Sequence, residues 1–258
     1  MNKLDLSKTY KTLTILGCLL GGMIMSTAKA TAQPADSESP KMELRFLFLD
    51  ESPGAYYLKK EDTFSVLSDS PYKISPVIRP LTEELLEIYK ELPNPEAPET
   101  MQRIQIGKLT ASLEMGSSLI VLTPIKNMAA DTSRPKYQVN VYGSDSNEFP
   151  KNSIRILNLS NAPFACEFNK DRQLIAPYSS NIIKPDTDSK NRLRYKVAAR
   201  KAEGWELLDN GVMLLRADER VTGVLIYSPS GMRHTFSESE MEFFGEPKPG
   251  YYWLTYTD

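Results

Sequence analysis

The chain repeats itself. Glu43-Leu-Arg-Phe-Leu-Phe-Leu49 returns as Ser153-Ile-Arg-Ile-Leu-Asn-Leu159, with Arg45 over Arg155, Leu47 over Leu157 and Leu49 over Leu159, a shift of 110. Pro53 falls on Pro163, Lys60 on Lys170 and Glu61 on Asp171 at the same shift. Farther along the shift settles at 105, which sets Pro80 on Pro185, Leu119-Ile-Val-Leu122 on Val224-Leu-Ile-Tyr227, Thr123 on Ser228 and Pro124 on Pro229. Solenoid repeats recur every 20 to 50 residues or so; a spacing of about 107 is instead the size of a small β-sandwich domain. The expectation is a tandem duplication of one all-β unit.

Residues 1–32 have the layout of an export signal. Lys3, Lys8 and Lys11 form a basic start, Leu13 to Met25 is apolar, and Ala28-Lys-Ala30 and Ala30-Thr-Ala32 place small residues as signal peptidase requires. The apolar stretch is shorter than the roughly 20 residues that span a bilayer, and no later segment matches it, so no transmembrane helix is expected in the mature chain. Ile15-Leu-Gly-Cys18 has the look of a lipobox, yet Leu19, Leu20, Met23, Ile24 and Met25 prolong the apolar run past Cys18, which argues against lipoprotein anchoring. An exported protein, periplasmic or extracellular, is expected. Removing the leader takes away four Lys and one Asp, leaving 27 basic and 32 acidic residues, a balance that disfavours nucleic acid as a partner. Cys166 then has no thiol to pair with. It alternates with Phe164 and Phe168 and is expected to be a buried apolar residue.

Five segments follow: the signal (1–32), a polar lead-in (33–41), a first sandwich (42–143), a second (150–230), and an acidic and aromatic tail (231–258). Arg192 to Arg200 is the clearest strand, with Leu193, Tyr195, Val197 and Ala199 on one face and Arg192, Arg194, Lys196 and Ala198 on the other. Trp205, after the Glu203-Gly204 turn, is the expected plug of the second core. Thr82 to Leu92 has helical spacing through Leu85, Ile88, Tyr89 and Leu92, but the repeat lays Leu86-Glu-Ile88 over Leu193-Arg-Tyr195 and favours a strand. Pro93-Asn-Pro-Glu-Ala-Pro98 reads as a rigid loop absent from the second unit.

Ile154-Arg-Ile-Leu-Asn-Leu-Ser160, Ile175-Ala-Pro177 and Gly204-Trp-Glu-Leu-Leu208 resemble a pattern of uncharacterised exported bacterial proteins that carry one or two immunoglobulin-like β-sandwich domains. The resemblance spans most of residues 42–230. It implies an immunoglobulin-like fold and export, and it brings no catalytic residue with it.

No catalytic, cofactor or metal residues are assigned. His234, the sole histidine, lies in the polar Ser228-Pro-Ser-Gly-Met-Arg-His234 segment, and neither a Gly-x-Ser-x-Gly elbow nor a glycine-rich phosphate loop is present. Asp186-Thr-Asp188-Ser-Lys-Asn191 begins like a calcium loop, but Lys190 stands at the third ligand position and Val197 where the bidentate Glu belongs. Two features point to binding. Arg192, Arg194, Lys196 and Arg200 make a basic row on one strand face. Tyr251-Tyr-Trp-Leu-Thr-Tyr256 alternates as a strand expected to pair with the protein's own sheet, the alternative being addition to a partner's sheet edge or stacking on sugar rings, with Tyr252, Leu254 and Tyr256 inward and Tyr251, Trp253 and Thr255 outward. The functional expectation is a non-catalytic binding or assembly module of the bacterial cell envelope with a protein or glycan partner. The alternative is a carbohydrate-binding protein, or an enzyme acting on carbohydrate through paired carboxylates.

Overall fold

Alternation along β1 (Glu43–Phe48) sends its side chains into two different cores. Leu44, Phe46 and Phe48 face one, and Leu47, joined by Leu49 just beyond the strand, faces the other. The structure, a computed structural model, describes residues 42–52, 54–125, 137–235 and 237–257; the leader and lead-in expected over 1–41 lie outside them.

The first half continues with β2 (Tyr56–Lys60), β3 (Thr63–Ser68), β4 (Glu84–Asn94), β5 (Ala97–Ala111), β6 (Ser117–Pro124) and β7 (Tyr137–Gly143). The second half repeats the series as β8 (Ser153–Asn158), β9 (Phe164–Phe168), β10 (Asp171–Ile175), β11 (Ser180–Ile183), β12 (Arg192–Lys201), β13 (Gly204–Leu214), β14 (Arg220–Ser228) and β15 (Gly250–Thr257). A short helix, α1 (Glu238–Phe244), precedes the last strand and is opened by a capping box between Ser237 and Glu240.

Each half is a two-sheet sandwich of the immunoglobulin-like class, and the two share one strand order. Sheets β3-β2-β4-β5 and β1-β6-β7 form the first; β10-β9-β12-β13 and β11-β8-β14-β15 form the second. In both, the first strand runs parallel to the sixth or seventh of its half (β1 with β6, β8 with β14), and that strand pairs antiparallel with the last. Two isolated bridges, Leu44–Ile78 and Leu47–Ile74, stand where β11 pairs with β8.

Shared irregularities argue for duplication more strongly than shared alternation, because alternation is common to most strands. A β-bulge interrupts β4 between Ile88 and Tyr89, and another interrupts β12 between Val197 and Ala198. Glu61 and Asn169 turn their hairpins with φ of 51° and 53°, and Tyr72 and Tyr178 share φ of 61° and 52°. These marks also correct the sequence alignment. Glu61 corresponds to Asn169, not Asp171, and Lys60 to Phe168. Ser118, opposite Leu44, corresponds to Val221, opposite Ile154. Both corrections move the match by two residues, which keeps each aligned pair of side chains on one face.

Three apolar clusters result among the described residues. Leu44, Phe46, Phe48, Tyr56, Leu58, Leu86, Ile88, Ile120 and Leu122 fill the first sandwich, and Ile154, Ile156, Phe164, Phe168, Leu193, Val197 and Leu225 fill the second. The third lies between them, where Leu47, Leu49, Leu119 and Val121 meet Leu157, Val224, Ile226 and Met232. The sheets of β1 and β8 therefore pack face to face, and all six residues of β8 are buried. The joint at 143–150 is gripped as well. Arg155 donates to the Gly143 carbonyl and lies 4.1 Å over the Phe149 ring, while Arg220 donates to the Ser144 and Phe149 carbonyls at 2.5 and 3.1 Å.

Residues 84–94 are strand, as the repeat demands, because Ile88 and Leu86 must meet Phe46 and Leu58 in the first core. The Pro-bearing stretch after them is not a loop of its own; β4 and β5 run through it and turn at Pro95-Glu96. The tail is the eighth strand of the second sandwich, with β15 paired to β14 from Val221–Thr257 to Ser228–Gly250.

The two tryptophans exchange their expected places. Trp205 sits opposite Arg200, on the solvent side of β12, and is 46% exposed. Trp253 packs on the second core above Gly223, where a Cβ would collide with its ring. Tyr251 joins it there, edge-on to Phe164 at 5.5 Å, while Tyr252, Leu254 and Tyr256 complete the third core. Both faces of the tail strand are thus spent inside the molecule. Trp253→Ala is expected to cost at least about 2 kcal/mol in a urea titration, and Trp205→Ala to stay within about 0.5 kcal/mol of the parent.

Candidate functional site

The basic row lies where its alternation puts it. Leu193, Val197 and Ala199 turn into the core, and Arg192, Arg194, Lys196 and Arg200 turn out. Their engagements differ. Arg192 is tied to Asp188 at 2.7 Å, Lys196 reaches Glu167 at 3.8 Å, and the Arg200 guanidinium lies 5.6 Å from the Trp205 ring centre. Sequence reasoning misses what stands beside this row. Trp205, Leu207, Val212 and Leu214 of the edge strand β13 are paired with Arg200, Ala198, Arg194 and Arg192 and share their outward face. These four apolar side chains are 46% to 57% exposed. Tyr251 and Trp253, the contacts expected from the tail, are half-buried in the second core and lie away from that face.

The calcium-like loop is already satisfied. Asp188 accepts hydrogen bonds from the backbone of Lys190 and Arg192 at 2.8 and 2.9 Å and from the Arg192 guanidinium. The backbone bond from Arg192 is the chief reason its carboxyl is held below the usual range. Such a carboxylate closes a turn, with three hydrogen bonds already on its two oxygens. Among the described residues, no group of three or more His, Cys, Asp or Glu comes together as a metal site would need. Cys166 is buried, and burial pushes its thiol up to about 12, far from a reactive thiolate. His234 falls in a short 3-10 turn over Arg233–Thr235; its side chain lies outside the described residues.

A buried polar cluster in the first sandwich is another feature that sequence reasoning misses. Lys90 occupies a core position of β4, in step with Leu86 and Ile88, and its side chain is wholly buried. Its ammonium donates to Asp50 Oδ2 at 2.5 Å, to Ser52 Oγ at 2.6 Å and to the Ser52 carbonyl at 2.9 Å. All three ammonium protons are therefore used. Tyr137 also donates to Asp50, and Tyr56 lies beneath Lys90, stacked on Phe48 at 3.8 Å. Burial alone would raise the Asp50 carboxyl, but the Lys90 charge and the hydrogen bonds prevail and hold it below its usual range. Burial lowers the Lys90 ammonium, against the pull of Asp50. The cluster anchors the Asp50–Ser52 bend over the end of the first core. In the second half Asn158 closes the corresponding turn instead, donating to the Ala162, Ile175 and Ala176 carbonyls at 2.8, 3.3 and 2.8 Å.

No family model matches the chain, and no curated protein matches it. Solved structures give slight likenesses. A DUF3823 family protein from Bacteroides ovatus is 9% identical over 69% of this chain and 100% of its own, with a TM-score of 0.21. The paired C2 domains of extended synaptotagmin 2 are 11% identical over 95% of this chain and 98% of theirs, with a TM-score of 0.23. At this level the fold is read from its own strand order.

Breaking the anchor leaves a buried, unpaired carboxylate, so Lys90→Met is expected to cost about 3–5 kcal/mol in a urea titration. Adding Asp50→Asn should restore part of it. Because the folded Asp50 pKa is depressed, its contribution is complete above the unfolded carboxylate range and is lost as pH falls through the folded value. The gap between parent and Lys90→Met should therefore narrow in acid.

Proposed function

We propose that the chain is an exported binding or assembly module of the bacterial cell envelope, and that it works through the outer face of the β10-β9-β12-β13 sheet. The observation that carries this reading is the apolar row of Trp205, Leu207, Val212 and Leu214, open to solvent and flanked by Arg194, Lys196 and Arg200. An apolar patch rimmed by polar groups costs solubility unless a partner covers it, and such patches mark interaction sites. Arginine beside tryptophan is also the pairing that protein interfaces favour. The rest of the molecule supports a scaffold role: the buried Lys90–Asp50 cluster is a structural anchor, and three cores among the described residues hold the sandwiches in one unit. Export rests on the layout of the leader, whose removal would leave Gln33 as the first residue.

Side-chain oxidation footprinting tests the surface. In isolated envelope fractions Trp205, Leu207, Val212 and Leu214 should be protected relative to the dilute purified protein, while Tyr178, 73% exposed on another loop, should not change. Equal labelling of the four in both samples would refute the reading. Protection reproduced by a pure glycan in place of the envelope fraction would move the function to carbohydrate recognition.

A further inference from the structure

We propose that the outer row of β13 is covered by a second copy of the chain, through antiparallel pairing of β13 with β13 about a two-fold axis at Asn210. This rests on the reading of that face as an interaction surface and names its partner.

β13 is the edge of its sheet, 11 residues long. Along it Trp205, Leu207, Asn210, Val212 and Leu214 lie opposite Arg200, Ala198, Lys196, Arg194 and Arg192, all on the outward side of β12, so the five share one face. The β-bulge adds one residue, Leu208, between Leu207 and Asp209. When two identical strands pair antiparallel about Asn210, Leu207 meets the partner's Val212 and Trp205 meets the partner's Leu214. Each apolar side chain then faces another, and the two Asn210 amides meet on the axis, where an amide can both donate to and accept from its twin. The doubled residues Leu208 and Asp209 fall opposite the partner's Gly211, the residue with no side chain to crowd them. Other registers lose this match. A slip of one residue turns the apolar row against inward-facing side chains. A slip of two sets Asn210 against the partner's Val212 and leaves Trp205 past the end.

The edge also lacks two of the features that usually keep strands apart, though it carries the bulge and two acidic residues. β13 contains no Lys and no Pro. Its two acidic residues are tied within their own sandwich, Glu206 to Lys201 at 2.5 Å and Asp209 to the Tyr195 hydroxyl at 2.8 Å. The basic rows of the two copies would lie three strand spacings apart, about 14 Å, beyond the screening length of roughly 8–10 Å at ordinary ionic strength. Joined in this way, two four-stranded sheets become one of eight, and the apolar rows merge into a single strip.

Sedimentation of the purified full-length protein over a concentration series tests this. The parent should pass from monomer to dimer. Leu207→Lys with Val212→Lys should weaken dimerisation by at least about tenfold, and Leu207→Glu with Val212→Glu should do the same. An equimolar mixture of the two variants should pair again, because each introduced ammonium then faces an introduced carboxylate. The milder Asn210→Asp, which sets two carboxylates on the axis, should weaken the dimer at neutral pH. A parent that stays monomeric throughout, variants that dimerise like the parent, or a mixture that fails to pair would each overturn the proposal. Footprint protection in the envelope beside a monomeric purified chain would leave the interaction surface standing and remove only the second copy as its occupant.

Discussion

The structure depends on four strands that pack apolar side chains on both faces. β1, β6, β8 and β14 each send one set of side chains into their own sandwich and the other set into the shared third core. A strand exposed on one side needs only every second residue apolar. These four are covered on both, which is why β8 is buried throughout, Ser153, Arg155 and Asn158 included, and β14 reads Val-Thr-Gly-Val-Leu-Ile. Full burial of a large apolar side chain contributes roughly 1.5–3 kcal/mol, so a third cluster of eight buried residues, beside fourteen and thirteen in the sandwich cores, is a substantial share of the packing. The two halves are therefore joined by packing as well as by chain.

That arrangement explains the division between polar and apolar surfaces elsewhere. With β1 and β8 turned towards each other, the other two sheets, β3-β2-β4-β5 and β10-β9-β12-β13, take the outside. The first covers the middle of its face with paired groups, since Arg103 bonds Glu91 and lies over Tyr57 and Phe64 and Lys108 bonds Glu87, and leaves Val66, Leu85 and Met101 exposed around them. The second leaves β13 bare. The duplicated halves have thus diverged where they meet solvent and kept their likeness where they meet each other.

Much of the fold is legible in the sequence because a period of two survives small alignment errors. Shifts of 110 and 105 are each off by two residues over part of the chain, yet Leu119, Val121 and Val224 still land on their true face. Parity misleads where a residue's neighbour across the sheet matters more than its own hydrophobicity. Trp205 reads as a core residue for its size, but its position opposite Arg200 sends it outward. Trp253 reads as outward from the strand's alternation alone, because the third core, which gives both faces an occupant, is not visible in one strand. α1 escapes the sequence reading although Ser237 and Glu240 spell a capping box, because seven residues make too short a periodic signal. The Lys90–Asp50 anchor has one visible cue, a lysine in step with Leu86 and Ile88; its acidic partner lies 40 positions away, and only the fold brings the two together. The apolar row of β13 is hidden for the same kind of reason, since a bulge at Leu208 is needed to put Leu207 and Val212 on one face.

Whether packing or the short joint unites the halves can be measured by cutting the joint. A protease site placed at the exposed residues Ser146 and Asn147 would sever the chain between the sandwiches without touching a core. After cleavage, the two fragments should elute together on a sizing column and unfold in urea as a single transition, because the third core still holds them. Fragments that separate, each retaining its own folded transition, would contradict the account.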